Sequence, residues 1–257
     1  MIKNLSLALL NKYCTAAGDH ETPEGDESFR PPTSRDPQIP YGAGLENAIK
    51  FNIFKWVDEA HNSRRHLAWL SLIKSHTNEY RTDVHLKNFD LFLTRIFYGY
   101  TQYAVSYHND LHALDVMQMS AALLAEGMKS VLKMNDLECL ALLLGAACHD
   151  YGHDGFNNGY HTKIKSSRWQ AHGAQGTQEK FHFAESWKIA EQTKLLSCLS
   201  NEDLNKFRNV FMGVIIGTDM GEHMKHLKEM QTILEVDTQD PENGFHALVE
   251  REQDVVS

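Results

Sequence analysis

The sequence predicts an all-α fold, a multi-helix bundle, and three observations carry that prediction. Beyond residue 45, apolar residues recur at every third or fourth position, the spacing of helices buried along one face. No stretch alternates polar and apolar residues between hairpin turns, as a half-buried strand would. Five of the six prolines fall between Pro23 and Pro40, which leaves the rest of the chain nearly clear of helix breakers.

Taken in order, residues 1–44 hold those prolines together with Gly18, Gly25, Gly42 and Gly44, and read as a flexible lead-in. Residues 45–257 read as one folded domain. Ile49, Ile53, Trp56, Val57 and Ala60 form its first apolar stripe, and Leu86, Phe89, Leu93, Ile96, Phe97 and Tyr100 its second. Leu111, Leu114, Met117, Ala121 and Leu124 form a third. Asn135, followed three residues later by Glu138, has the pattern of a helix N-cap. The helix it opens runs through Leu137, Leu140, Ala141, Leu144 and Ala147 into His149-Asp150. The segment Gly152–Gln178, rich in Gly, Asn, Ser and Gln, reads as an ordered loop.

Composition narrows the function. The 257 residues are 42% hydrophobic, enough for one substantial core. A formal charge of −9 repels phosphate backbones and argues against a nucleic-acid polymer as partner. Cys14, Cys139, Cys148 and Cys198 are too scattered for a disulfide scaffold or a CxxC site, and Cys148 reads as a small buried residue at a helix end. The apolar stretch Leu5–Leu10 is shorter than a signal-peptide core, and nothing approaches the ~20 apolar residues of a membrane span. A cytoplasmic protein is expected.

Chemistry concentrates in four places: Tyr107 to His112, His149-Asp150, His153, and Glu179 with His182. A helix would put His108 and His112 on one face, one turn apart. His149 and Asp150 are adjacent and cannot point the same way on a regular helix, but they can turn toward one ion where a helix ends. Imidazoles and carboxylates in this pattern suit one or two divalent metals that hold a hydrolytic water. His112, His149 and Asp150 supply most of one metal's protein ligands. His20, His61, His66, His76 and His85 stand alone and read as structural or exposed.

Several ordered segments resemble the catalytic domain of class I 3′,5′-cyclic-nucleotide phosphodiesterases, within the HD superfamily of metallophosphohydrolases. Tyr107 to Val116 is similar to that family's YHNxxHAxDV signature. His149 to Gly155, with Asn158 following, is similar to its HDxxHxG stretch. Thr218-Asp219-Met220 with His223-Met224 resembles its TDMxxHM segment, and Phe51 to Phe54 its opening aromatic motif. The resemblance implies hydrolysis of the 3′-phosphoester bond of cyclic AMP, cyclic GMP or both, giving 5′-nucleotides in signalling. It implies His112, His149 and Asp150 as metal ligands, with Asp150 bridging to a second ion. His153, Glu179 and His182 would orient the waters, and His108 would be the general acid. The implied cofactors are two divalent ions, Zn²⁺ with Mg²⁺ or Mn²⁺. Asp219 is not placed among the ligands; Thr218-Asp219-Met220 also reads as a packing and capping motif.

The sequence departs from the family pattern at three places near these residues. Gly152 stands where an Asp is usual, Asp154 where a Pro is usual, and Phe181 where a His precedes His182. Toward Ser257 the only late aspartates are Asp237, Asp240 and Asp254; Asp254 lacks the context of the family's remaining Asp ligand, and the family's purine-clamp glutamine has no counterpart. The expectation is a domain without its last helices and with its substrate-binding residues unassigned. Reduced activity, a non-catalytic or regulatory role, or phosphohydrolase action on another nucleotide are the alternatives. A second copy or a full-length homologue is the expected protein partner.

Overall fold

Helices and the turns between them make up every described element; no strand occurs among the described residues. The computed structural model describes Ile53 and residues 83–239. The lead-in 1–44, the stripe and aromatic motif around Ile53, the histidines 20, 61, 66 and 76, and Asp240 and Asp254 lie outside those residues.

Helix α1 spans Asp83–Tyr100 and buries Phe89, Phe92, Leu93, Ile96 and Tyr100, close to the stripe the sequence predicts. Helix α2 spans Asp110–Leu123 and passes into a π-helical turn, Leu124–Met128, where Gly127 takes a φ of +114°. Its cap is Asn109, whose side-chain oxygen accepts from the Leu111 and His112 amides. His108 therefore precedes the helix. The expectation that one helical face carries both His108 and His112 is corrected: only His112 is helical.

Helix α3, Asp136–Cys148, opens with a complete capping box between Asn135 and Glu138 and ends at His149. It is apolar nearly all round, burying Leu137, Leu140, Leu143, Leu144 and Cys148 among others. Such a helix is stable only when covered on every side. Helix α2 and helix α7, Asn201–Ile216, both pack extensively against it. Gly145 allows the second approach, since a β-carbon there would lie 2.8 Å from Val214 Cγ1.

The segment Gly152–Gln178 is not a plain loop. It forms two short helices, α4 Asn158–Ile164 and α5 Ser167–His172, before α6 begins at Thr177 and runs to Gln192. The polar residues that suggested a loop include the caps: Asn157 accepts from the Tyr160 amide, and Ser166 from the Trp169 amide. Helices this short carry too few turns to show a 3.6-residue period. Phe183 and Trp187 of α6 meet Phe207 and Phe211 of α7 in an aromatic seam. Asp219 caps a 3₁₀ turn, Met220–Glu222, by accepting the Gly221 amide, and α8, His223–Gln239, follows. Among the described residues no helix is long and apolar enough to cross a membrane.

Candidate metal centre

Where α3 ends, the chain must turn while its last carbonyls still seek donors. Tyr100 of α1 serves this turn: its hydroxyl donates to the Ala147 carbonyl at 3.0 Å and accepts the Asp150 amide at 3.2 Å. The Asp150 carboxylate is thereby held at the centre of a ring of imidazoles. Its Oδ2 lies 2.7 Å from His108 Nδ1, 3.2 Å from His149 Nε2 and 3.4 Å from His112 Nε2. Its Oδ1 faces His182 Nε2 at 3.9 Å. His153 stacks on His108 with ring centroids 4.0 Å apart and planes 9° apart.

Backbone carbonyls set two of these rings. His149 Nδ1 donates to the Ala146 carbonyl at 2.8 Å, and His182 Nδ1 donates to the Tyr151 carbonyl at 2.7 Å. In a neutral ring, a hydrogen on Nδ1 leaves the lone pair on Nε2. For His149 that lone pair faces both Asp150 and His112 Nε2, each 3.2 Å away. A hydrogen or a cation shared among these atoms relieves the repulsion between their lone pairs. Burial pushes His149 down, but the hydrogen bond and charge of Asp150 outweigh it and raise its pKa. A divalent cation suits the same donors.

The other groups are tuned to match. Burial pushes the Asp150 carboxyl up, but hydrogen bonds from His108 and His149 outweigh it and hold it well below the usual carboxylate range. Burial, then the neighbouring His149, lowers His112. Burial carries His182 down to about 3, and burial with the charge of His108 carries His153 down to about 4. These rings are neutral at pH 7, the form that accepts rather than repels a cation.

Donor atoms of His108, His112 and Asp150 lie within 4.8 Å of one another, and so do those of Asp150, His153 and His182. Asp150 is common to both sets. His149 lies outside both, although its Nε2 sits against Asp150 and His112. Glu179 also stands apart from them: its carboxylate accepts from Asn158 Nδ2 at 2.9 Å, and burial raises its pKa despite that bond. Sequence reasoning missed Tyr100, which read only as a member of an apolar stripe. It also passed over the rings' open side. There His108 keeps 37% of its side chain exposed, and the ring of Tyr107, itself exposed, lies 4.5 Å from that of His112 and tilted 34° to it.

The family model for 3′5′-cyclic nucleotide phosphodiesterase matches residues 107–255, more than half of the chain. The chain belongs to that family. Among curated phosphodiesterases it is 34% identical over 148 residues to the dual specificity calcium/calmodulin-dependent 3′,5′-cyclic nucleotide phosphodiesterase 1 of Drosophila melanogaster. That match covers 56% of this chain and 18% of the fly protein. Over 157 residues it is 29% identical to the probable 3′,5′-cyclic phosphodiesterase pde-1 of Caenorhabditis elegans, covering 60% of this chain and 23% of the relative. The human dual specificity phosphodiesterase 1B is 30% identical over 147 residues, covering 56% and 27%. The matches therefore span about a fifth to a quarter of the relatives' lengths. Asp150 and the imidazoles of His108, His112, His149, His153 and His182 lie within the phosphodiesterase family match, and Tyr100 lies outside it.

Proposed function

We propose that this chain is a metal-dependent hydrolase of 3′,5′-cyclic nucleotides, cleaving the P–O3′ bond to leave a 5′-nucleotide. The single observation that carries the reading is the convergence of His108, His112, His149 and His182 on the one carboxylate of Asp150 in a member of the phosphodiesterase family. His112, His149 and Asp150 would hold one cation, and Asp150 would also serve a second. When bound, Zn²⁺ and Mg²⁺ or Mn²⁺ supply hydroxide from water at neutral pH and offset the charge on the phosphoryl oxygens.

The chain's own residues do the rest. The Tyr151 carbonyl fixes the His182 ring, and Asn158 fixes the Glu179 carboxylate, so that His182, Glu179 and His153 can orient water. His108 stands on the open side, where a nucleotide would arrive. As the P–O3′ bond breaks, His108 gives a proton to O3′, which is a poor leaving group as an alkoxide. Its Nδ1 contact with Asp150 would hold the ring and leave Nε2 as the nitrogen that gives the proton. A cytoplasmic setting goes with this reading; the buried thiols of Cys139 and Cys148, not joined in disulfides, suit a reducing compartment.

Purified protein should hydrolyse cyclic AMP or cyclic GMP with Zn²⁺ and Mg²⁺ present. His108→Ala should lower turnover by roughly 10²–10⁴, the usual contribution of a general acid. Equal turnover in the variant would remove His108 from that role, and no turnover in either protein would sink the hydrolase reading.

A further inference from the structure

The three positions that depart from the phosphodiesterase pattern, Gly152, Asp154 and Phe181, all meet one side chain. Arg168 of α5 is only 9% exposed. Its Nη2 donates to the Gly152 carbonyl at 2.8 Å, and its Nη1 donates to Gln178 Oε1 at 2.5 Å. Its Nε lies 3.6 Å from Asp154 Oδ2, and its guanidinium carbon lies 3.8 Å from the centroid of the Phe181 ring. Gln178 closes the circle by donating to Asp154 Oδ1 at 2.9 Å and to the Phe156 carbonyl at 2.7 Å.

The positions of these partners along the chain matter. Gly152 and Asp154 flank His153. Gln178 precedes Glu179, and Phe181 precedes His182. One buried guanidinium thus joins the Gly152 carbonyl and the Asp154 carboxylate, on either side of His153, to the first turns of α6. Gly152 permits the arrangement with a φ of +66°, the left-handed region that favours glycine. A β-carbon there would lie 3.3 Å from Phe181 Cε1, so the phenyl ring occupies the space above this turn. A buried charge without partners is costly, and the planar fork of arginine can serve two acceptors while its face stacks on a ring. Lysine offers neither the fork nor the face.

We propose that Arg168 is a positioning residue: it locks the His153 turn onto α6, sets His153 and His182 about Asp150, and thereby sets divalent-cation affinity there. The inference rests on the proposed metal centre. It concerns cation binding, however, and can be read without turnover.

The test is Mn²⁺ binding to metal-stripped full chain, followed by electron paramagnetic resonance, with urea unfolding of the same samples. Arg168→Met should weaken Mn²⁺ binding about tenfold or more, as loss of a partner that orients metal-site residues does. Arg168→Lys should not restore it. A lowered unfolding midpoint with unchanged Mn²⁺ affinity would show a merely structural role and overturn the proposal. If Arg168→Met fails to fold, Gln178→Leu removes one acceptor of Arg168, together with the bonds Gln178 gives to Asp154 and Phe156, and leaves Asp154 paired with the guanidinium. It should weaken Mn²⁺ several-fold, and unchanged affinity would again overturn the proposal. Wild-type protein that binds no Mn²⁺ would overturn it too. Wild-type protein that binds Mn²⁺ yet leaves cyclic nucleotides intact would sink the hydrolase reading alone.

Discussion

The hydroxyl of Tyr100 accepts the backbone amide of Asp150, 3.2 Å away, and so ties the first described helix to the centre of the imidazole ring. The same hydroxyl donates to the Ala147 carbonyl. Tyr100→Phe would leave both backbone groups buried without this partner, at a cost of about 1–3 kcal/mol. Urea unfolding should show that loss, with a parallel fall in Zn²⁺ affinity as Asp150 loosens. Wild-type values for both would mean that Tyr100 is only a packing residue.

Metal should stabilise the fold by mass action. With free Zn²⁺ at a hundred times its Kd, the folded protein should gain about 2.7 kcal/mol over the same protein in chelator. His112→Ala should shrink that gain sharply, because His112 supplies a nitrogen beside Asp150 and His149. The quantity to compare is the shift in unfolding midpoint with and without Zn²⁺, which cancels any direct cost of the substitution. An undiminished shift would place the cation elsewhere.

His182 predicts a pH dependence in metal-free protein. Burial lowers its pKa from 6.5 to about 3, so between those values the unfolded chain binds a proton that the folded one refuses. Stability from this group is complete above pH 6.5 and falls as pH drops, by about 1.4 kcal/mol per unit. By pH 5 the loss is about 2 kcal/mol. Glu179 works in the opposite direction, since burial raises its pKa and acid relieves that strain. The difference between wild type and His182→Gln is therefore the measurement. Identical slopes from pH 7 to pH 5 would show that His182 titrates normally.

Asn135→Ala should cost about 1 kcal/mol, with an unchanged dependence on urea concentration, because it removes the cap of α3 without altering the surface exposed on unfolding. A change in that dependence would indicate a wider rearrangement of the central helix.

The capping box of Asn135 and Glu138, the apolar run of α3 and its end at His149 were all legible in the sequence. Each depends on residues within a few turns of one another. The same local logic failed at His108, where Asn109 takes the cap and leaves His108 outside the helix. It failed again between Gly152 and Gln178, where α4 and α5 are too short to reveal a period.

By itself, the sequence determined an all-α chain, the cap and end of α3, and the imidazoles and carboxylates available for chemistry. Periodicity and caps are local, and their energies are set by near neighbours. Only the tertiary structure decided that Asp150 is the hub, that Tyr100 holds it, and that Arg168 gathers Gly152, Asp154 and Phe181. Those contacts of Tyr100 and Arg168 join residues from 13 to 50 positions apart. A buried charge takes whichever partners packing brings within reach, and spacing along the chain does not encode that choice.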